Sequence, residues 1–156
     1  RAGVALLPAK WRFRFDPDET GEEQQWFQRP TLREGWGVAR TDSFWEDQAP
    51  GKQWLADHGA QYDGLGWYRT GFTIDEKYKG HQLVLFFGSV DEDAKIWING
   101  QLIADHKMEG DDGWKTPFTN DISDAVEFGV ANSLAVAVRD TSGKGGIYKR
   151  VWVMAE

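Results

Sequence analysis

The chain has 156 residues, contains no cysteine and carries a formal net charge of −7. Its length suits a single domain, and the missing cysteines exclude disulfide bonds and cysteine-bound zinc as sources of stability. The acidic balance argues against nucleic acid as a partner, because nucleic-acid-binding proteins carry basic patches. No apolar run approaches the roughly 20 residues that cross a bilayer, so the sequence predicts no membrane span.

The first predicted strand, Lys10–Phe15, alternates aromatic and cationic residues with the period of a half-buried strand. It ends at Asp16–Gly21, where oxygen-bearing side chains precede a glycine as in the opening half of a calcium loop. The twelfth position of such a loop is Phe27 rather than a bidentate glutamate. Two interpretations stay open: a structural calcium ion held by Asp16 and Asp18, or a polar turn capped by these acids.

Residues 22–62 are the least periodic part of the chain and contain four of its nine tryptophans. A segment this long is unusual as an idle loop in a compact domain. We expect it to wrap one side of the fold, with some of its tryptophans closing the core. A surplus of aromatic residues in an acidic domain also indicates a binding face that stacks on a flat or apolar ligand.

A hairpin is predicted in the middle of the chain, preceded by the acids Asp91, Glu92 and Asp93. Asn99 and Gly100 separate two short apolar runs, and both residue types tolerate the positive φ of a type I′ turn. This stretch therefore indicates an acidic loop that leads into a β-hairpin.

About eight or nine short strands with frequent turn signals, and no convincing long helix, predict an all-β antiparallel β-sandwich. The strands predicted after residue 62 are Trp67–Ile74, Gln82–Phe87, Ile96–Ile98, Asn132–Val138 and Ile147–Met154.

Several short motifs occur together in a family-like order. They are 62–69 (YDGLGWYR), 88–94 (GSVDEDA), 97–100 (WING), 117–118 (PF), 121–124 (DISD) and 145–147 (GGI). Over residues 60–154 the chain resembles the N-terminal sugar-binding domain of glycoside hydrolase family 2, the β-galactosidase and β-glucuronidase family. The first 60 residues match only loosely.

The resemblance implies a jelly-roll sandwich of the galactose-binding-like fold, which is shared with many carbohydrate-binding modules. In that family the domain does no chemistry and packs beside a catalytic barrel that holds both catalytic carboxylates. In some members one of its loops, at the position of Asp91, reaches the sugar.

Carbohydrate recognition uses aromatic faces that stack on a pyranose and planar polar groups that hold its hydroxyls. We expect a sugar site where the loops of one sandwich end converge, since binding residues commonly lie on loops above a rigid scaffold. Trp114 is the strongest aromatic candidate, because its polar neighbours in sequence offer little to bury it. The candidate ligand-binding residues are Asp63, Asp91, Glu92, Asp93, Trp114, Lys115, Lys144, Tyr148 and Arg150.

Simpler roles remain open for several of these residues. Asp91 and Asp93 could only solvate a strand end, or could supply the acid–base pair of a glycosidase. Acid clusters are common in acidic proteins, however, and the three histidines lack metal-ligand spacing. We therefore expect no catalysis by this chain and no required cofactor.

The sequence predicts a non-catalytic carbohydrate-binding domain, spanning residues 1–156, cut from a larger secreted polysaccharide-degrading enzyme. Its partners would be a poly- or oligosaccharide and a covalently linked catalytic domain, in an extracellular or periplasmic location. The alternative is an accessory domain that buttresses a catalytic barrel without binding sugar. A small stand-alone hydrolase is the third interpretation.

Overall fold

The computed structural model describes residues 2–28, 34–108, 110 and 112–156. Its regular structure consists mainly of strands, with one ten-residue helix, α1 (Ala49–His58), and short 3₁₀ turns. The strands are β1 (Ala2–Leu6), β2 (Lys10–Asp16), β3 (Gly37–Arg40), β4 (Gly64–Thr73), β5 (Leu83–Phe87), β6 (Val90–Asp91), β7 (Asp93–Ile98), β8 (Gln101–His106), β9 (Phe118–Asp121), β10 (Ala131–Asp140), β11 (Gly146–Ile147) and β12 (Val151–Ala155).

The strands form two main antiparallel sheets and one short ribbon. The six-stranded sheet has the order β3-β2-β4-β10-β7-β8, the four-stranded sheet has the order β1-β12-β5-β9, and β11 pairs with β6. Apart from β2–β3 and β7–β8, the neighbouring strands are not consecutive in the chain, as in a jelly roll. The predicted all-β antiparallel sandwich is confirmed.

The core lies between the two main sheets, where alternate residues of each strand point inward. Leu134, Val136 and Val138 of β10 are fully buried and belong to the same cluster as Val151 and Val153 of β12. The alternation of apolar residues in each of these two strands therefore marks the face that is buried. Burial of such side chains contributes roughly 1.5–3 kcal/mol each relative to exposure.

The six-stranded sheet also buries part of its outer face. Trp67 and Trp97 point outward from β4 and β7 yet are almost inaccessible, because residues 21–28 cover them. Phe27 stacks on Trp97 with ring centres 4.9 Å apart, and Trp26 meets the Trp67 ring edge-on at 5.9 Å. We call residues 21–28 the outer cover. It matches the expectation that the aperiodic region wraps one side of the fold, although residues 29–33 of that region lie outside the described residues.

The predicted hairpin is confirmed. Asn99 and Gly100 have φ angles of +52° and +83°, as a type I′ turn between β7 and β8 requires. The Asn99 side chain donates to Asn132 Oδ1 at 2.9 Å and accepts from Ser133 N at 2.9 Å. The turn is therefore fixed to β10 as well as to its own strands.

Three predictions about individual elements were wrong. The aperiodic region contains α1, whose first turn includes Pro50 and whose end is capped by Gly59 in the left-handed region. The closing strand is interrupted, because the chain leaves β11 after Ile147 and resumes pairing only at Val151. The acidic stretch is largely paired rather than looped, with Glu92 alone between β6 and β7.

Among the described residues, no helix combines the length and apolar character that a membrane crossing requires.

Candidate functional site

Acids that are far apart in sequence meet at one end of the six-stranded sheet. β10 ends at Asp140, which pairs with Gly64 at the start of β4, and Arg139 pairs with Asp93 at the start of β7. β2 ends at the same level, since Asp16 pairs with Leu65. We call this edge, with the connections that leave it, the loop end.

Three aromatic side chains from separate segments form a surface near the loop end. Tyr148 stacks on Phe44 with ring centres 4.5 Å apart, and its hydroxyl donates to the Trp114 carbonyl. The Trp114 ring centre lies 6.3 Å from that of Tyr148, and Trp114 is 41% exposed. We call Phe44, Trp114 and Tyr148 the aromatic platform. An exposed indole beside two half-buried rings can accept a flat, apolar ligand face.

Two lysines flank the aromatic platform. Lys144 Nζ lies 5.6 Å from the centre of the Phe44 ring and 3.1 Å from the Asp47 carboxylate. Lys115 Nζ lies 5.8 Å from the Trp114 ring and 3.2 Å from Asp112. Both lysine side chains are more than half exposed, so each ammonium group can still donate hydrogen bonds to a ligand.

Three carboxylates form a compact group beside the platform. Asp91, Glu92 and Asp140 each place one oxygen within 4.8 Å of the other two. Asp91 pairs with Gly146 in the short ribbon that leads to Tyr148. We call these three residues the acid cluster.

Hydrogen bonds hold two members of the acid cluster in place. Glu92 accepts from Thr141 N, from Thr141 Oγ1 at 2.6 Å and from Ser142 N at 3.3 Å. Asp140 Oδ1 accepts from Ser142 N at 3.2 Å, whereas its buried Oδ2 has no hydrogen-bond donor among the described residues. Asp140 itself is only 1% exposed.

Burial and mutual repulsion shift the acidity of the cluster. Burial, the hydrogen bond with Glu92 and the neighbouring negative charges raise the pKa of Asp140 to about 9. Burial, Glu92 and Glu46 raise the pKa of Asp91 to about 6. Burial also acts to raise the pKa of Glu92, but hydrogen bonds with Asp140, Thr141 and Ser142 outweigh it and the net shift is downward. The cluster therefore favours the binding of a proton or a cation at neutral pH.

The other predicted ligand-binding residues belong to neither the platform nor the cluster. Asp93 accepts from Met108 N at 2.8 Å and lines a groove of about 610 Å³ on the outer face of the six-stranded sheet. Arg150 Nη2 donates to the Leu7 carbonyl at 2.7 Å. Asp63 is exposed in the turn before β4, at the loop end. The polar loop that precedes Trp114 includes residues 109 and 111, which lie outside the described residues.

The predicted calcium turn is built around Asp16. Its two oxygens accept from Thr20 N at 2.9 Å, Gly21 N at 2.8 Å and the Trp67 indole at 3.0 Å. This is the capped polar turn, the alternative given by the sequence. Asp18 is exposed beside it, and a calcium ion held by Asp16 and Asp18 stays a prediction.

Sequence reasoning missed three residues of the loop end. Phe44 and Glu46 lie in the aperiodic region, where no pattern marks them as neighbours of residues 140–148. Asp140 lies two residues beyond the predicted strand Asn132–Val138, although it is the last residue of β10. Leu134, Val136 and Val138 alternate along the predicted strand. Continuing this alternation by one step reaches Asp140, so the pattern could have extended the strand to that residue.

The fold and the loop end define a galactose-binding-like β-sandwich with an aromatic and acidic surface at one end. A family model described as "Glycosyl hydrolases family 2, sugar binding domain" matches residues 4–150. The chain belongs to this family.

Known relatives agree with this assignment. A β-galactosidase from Thermoanaerobacter pseudethanolicus is 34% identical over 107 residues, covering 59% of this chain and 14% of that protein. A β-glucuronidase from Paenibacillus borealis is 28% identical over 136 residues, covering 86% and 20%. The solved structure of a Ruminococcus gnavus β-glucuronidase in complex with D-glucuronic acid superposes with a TM-score of 0.80 at 22% identity, covering 97% of this chain and 29% of that chain. The chain thus spans at most about a fifth of these two curated relatives.

Proposed function

We propose that the loop end binds carbohydrate reversibly, without chemistry of its own. The observation that carries this proposal is the aromatic platform, with Trp114 exposed beside the carboxylate of Asp91 and the ammonium groups of two lysines. A pyranose presents an apolar C–H face and a rim of hydroxyls, so one exposed ring with polar groups around it matches both.

Each group has a distinct role in this proposal. Trp114 and Tyr148 stack on the sugar ring. Asp91 accepts hydroxyl hydrogen bonds, while Glu92, already committed to Thr141 and Ser142, supports it from the side. Lys115 and Lys144 donate to hydroxyls or to the carboxylate of a uronic acid. Several relatives are named β-glucuronidases, which supports including uronic acids among the ligands.

The partner in this proposal is a catalytic domain carried by the same, longer protein. Family membership and the small share of each relative that the chain covers support this view. Binding by this domain would keep that enzyme at its polysaccharide, in a secreted or periplasmic location. In the alternative function the same surface packs against the catalytic domain and binds no sugar.

Affinity electrophoresis through gels containing different polysaccharides, followed by a glycan array, tests the proposal. Retention by at least one glycan, competed by the free sugar, is the expected result. Migration unchanged in every gel, with no array signal, would support the buttressing function instead. Turnover of chromogenic glycosides by the chain would contradict its non-catalytic role.

A further inference from the structure

We propose that the acid cluster is a calcium site. Three carboxylate oxygens that lie within 4.8 Å of one another can share one ion, because calcium–oxygen bonds of about 2.3–2.6 Å allow opposed ligands to lie about 4.6–5.2 Å apart. The ligands come from the end of β6, from Glu92 after it and from the end of β10, so the ion would join two segments that are 48 residues or more apart in sequence.

The electrostatics of the cluster call for a cation. Among the described residues, no ion pair involves Asp91, Glu92 or Asp140. Three carboxyl groups drawn together in a partly desolvated place repel one another strongly when ionised, unless they share a proton or a cation.

Asp140 is the independent observation that points to a ligand. It is 1% exposed, it extends into the cluster, and its Oδ2 receives no hydrogen bond from the described residues. A buried carboxylate oxygen without a donor is costly, and coordination of an ion would satisfy it.

The donor set suits calcium better than other metals. All three ligands are hard carboxylate oxygens, and no histidine takes part. Magnesium usually keeps several waters and binds one or two protein carboxylates, whereas calcium accepts more protein oxygens in a less regular shell. Asp91 is half-buried, so water can reach the site and complete six to eight ligands.

The ion would order the connection that supports the aromatic platform. Thr141 and Ser142, which bind Glu92, begin the connection that carries Lys144 and leads through β11 to Tyr148. The calcium proposal does not depend on sugar binding, since it concerns the stability of this connection.

Thermal unfolding of the chain with CaCl₂ or with EGTA tests the proposal. We expect Tm to rise by roughly 5–10 °C when calcium exceeds its Kd a hundredfold. The variant Asp140→Asn should lose this rise while remaining at least as stable as the wild type in EGTA, because the neutral amide has nearly the same shape and adds no negative charge to the cluster. The matched control Asp18→Asn should keep the rise.

Terbium luminescence provides a second readout that does not depend on unfolding. Trp45 and Asp140 both lie within 3 Å of the point where a Cβ on Gly145 would be, so Trp45 is placed to sensitise a bound terbium ion. We expect terbium luminescence that decreases when calcium is added. The variant Asp18→Asn should show the same luminescence, and Asp140→Asn should show none. If Asp140→Asn does not fold, Asp91→Asn takes its place.

Three results would overturn the calcium site. They are an unchanged Tm in calcium, an equal rise with magnesium, and a rise that Asp18→Asn removes but Asp140→Asn keeps. The last result would assign the ion to the turn after β2.

Discussion

The Trp67 indole Nε1 donates to Asp16 Oδ2 at 3.0 Å inside the loop end. This bond ties the end of β2 to the outward face of β4, and the same carboxylate caps the backbone of Thr20 and Gly21. Asp16 therefore fixes the path by which the chain enters the outer cover.

We expect Asp16→Asn to lower the free energy of unfolding by about 2–3 kcal/mol. An amide in this position can replace only part of the acceptor capacity, and hydrogen bonds to charged groups contribute about 1.5–3 kcal/mol. Urea unfolding followed by circular dichroism measures the change. Asp18→Asn, in the exposed part of the same turn, should change stability by less than about 0.5 kcal/mol. A loss of equal size in both variants would contradict the capping role of Asp16.

Arg69 anchors the outer cover. Its guanidinium is buried, and Nη1 donates to the carbonyls of Trp26 and Gln28. We expect Arg69→Met to keep the side-chain volume but release these carbonyls, so that amide hydrogen exchange in residues 21–28 becomes at least tenfold faster. Arg12→Met, an exposed arginine on the neighbouring strand β2, is the control. Unchanged exchange in Arg69→Met would show that ring packing alone holds the cover.

Gly51 permits the close contact of α1 with the preceding 3₁₀ turn. A Cβ at this position would lie 2.2 Å from the Trp45 carbonyl oxygen and 2.6 Å from Glu46 Cα. We expect Gly51→Ala to destabilise the fold by about 1–3 kcal/mol, as overpacking against backbone does. It should also disturb the loop end, because both carboxylate oxygens of Glu46 accept from Gly145 N.

Gly59→Ala is the matched control for this substitution. Gly59 has a φ of +76° but nothing within 4 Å of its would-be Cβ, so its cost is conformational and about 1 kcal/mol. Differential scanning calorimetry of the two variants measures both effects. A smaller loss of stability in Gly51→Ala than in Gly59→Ala would contradict the steric argument.

Much of the fold could be predicted from the sequence, because its signals are local. The pair Asn99 and Gly100 predicts the turn that it forms. The alternation of apolar residues in β10 and β12 indicates which face of each strand is buried. The helix α1 was missed because seven of its ten residues are exposed and its apolar residues form no regular stripe.

The candidate site was harder to predict, because its geometry depends on contacts between distant segments. Asp91 and Asp93 are two residues apart, yet one joins the acid cluster and the other the outer groove. In a continuous strand, two residues at this spacing point to the same face. Glu92 interrupts the strand with a φ of +67°, so the two aspartates do not share a face. No sequence pattern signals this interruption. Phe44 and Tyr148 are more than 100 residues apart in sequence. The residues around each of them therefore give no sign of their contact.

Trp114 is the residue whose loss should affect sugar binding most. It is the exposed ring of the aromatic platform, and its backbone carbonyl is already held by the Tyr148 hydroxyl. We expect Trp114→Ala to weaken retention by the best-bound glycan about tenfold, which corresponds to about 1.4 kcal/mol of lost stacking. Because the side chain is exposed, Tm should change by no more than a few degrees. Trp36→Ala, which removes an indole from the outer face, should leave retention unchanged. Equal retention by wild type and Trp114→Ala would place the sugar elsewhere, and the outer groove beside Asp93 would then be the next surface to test.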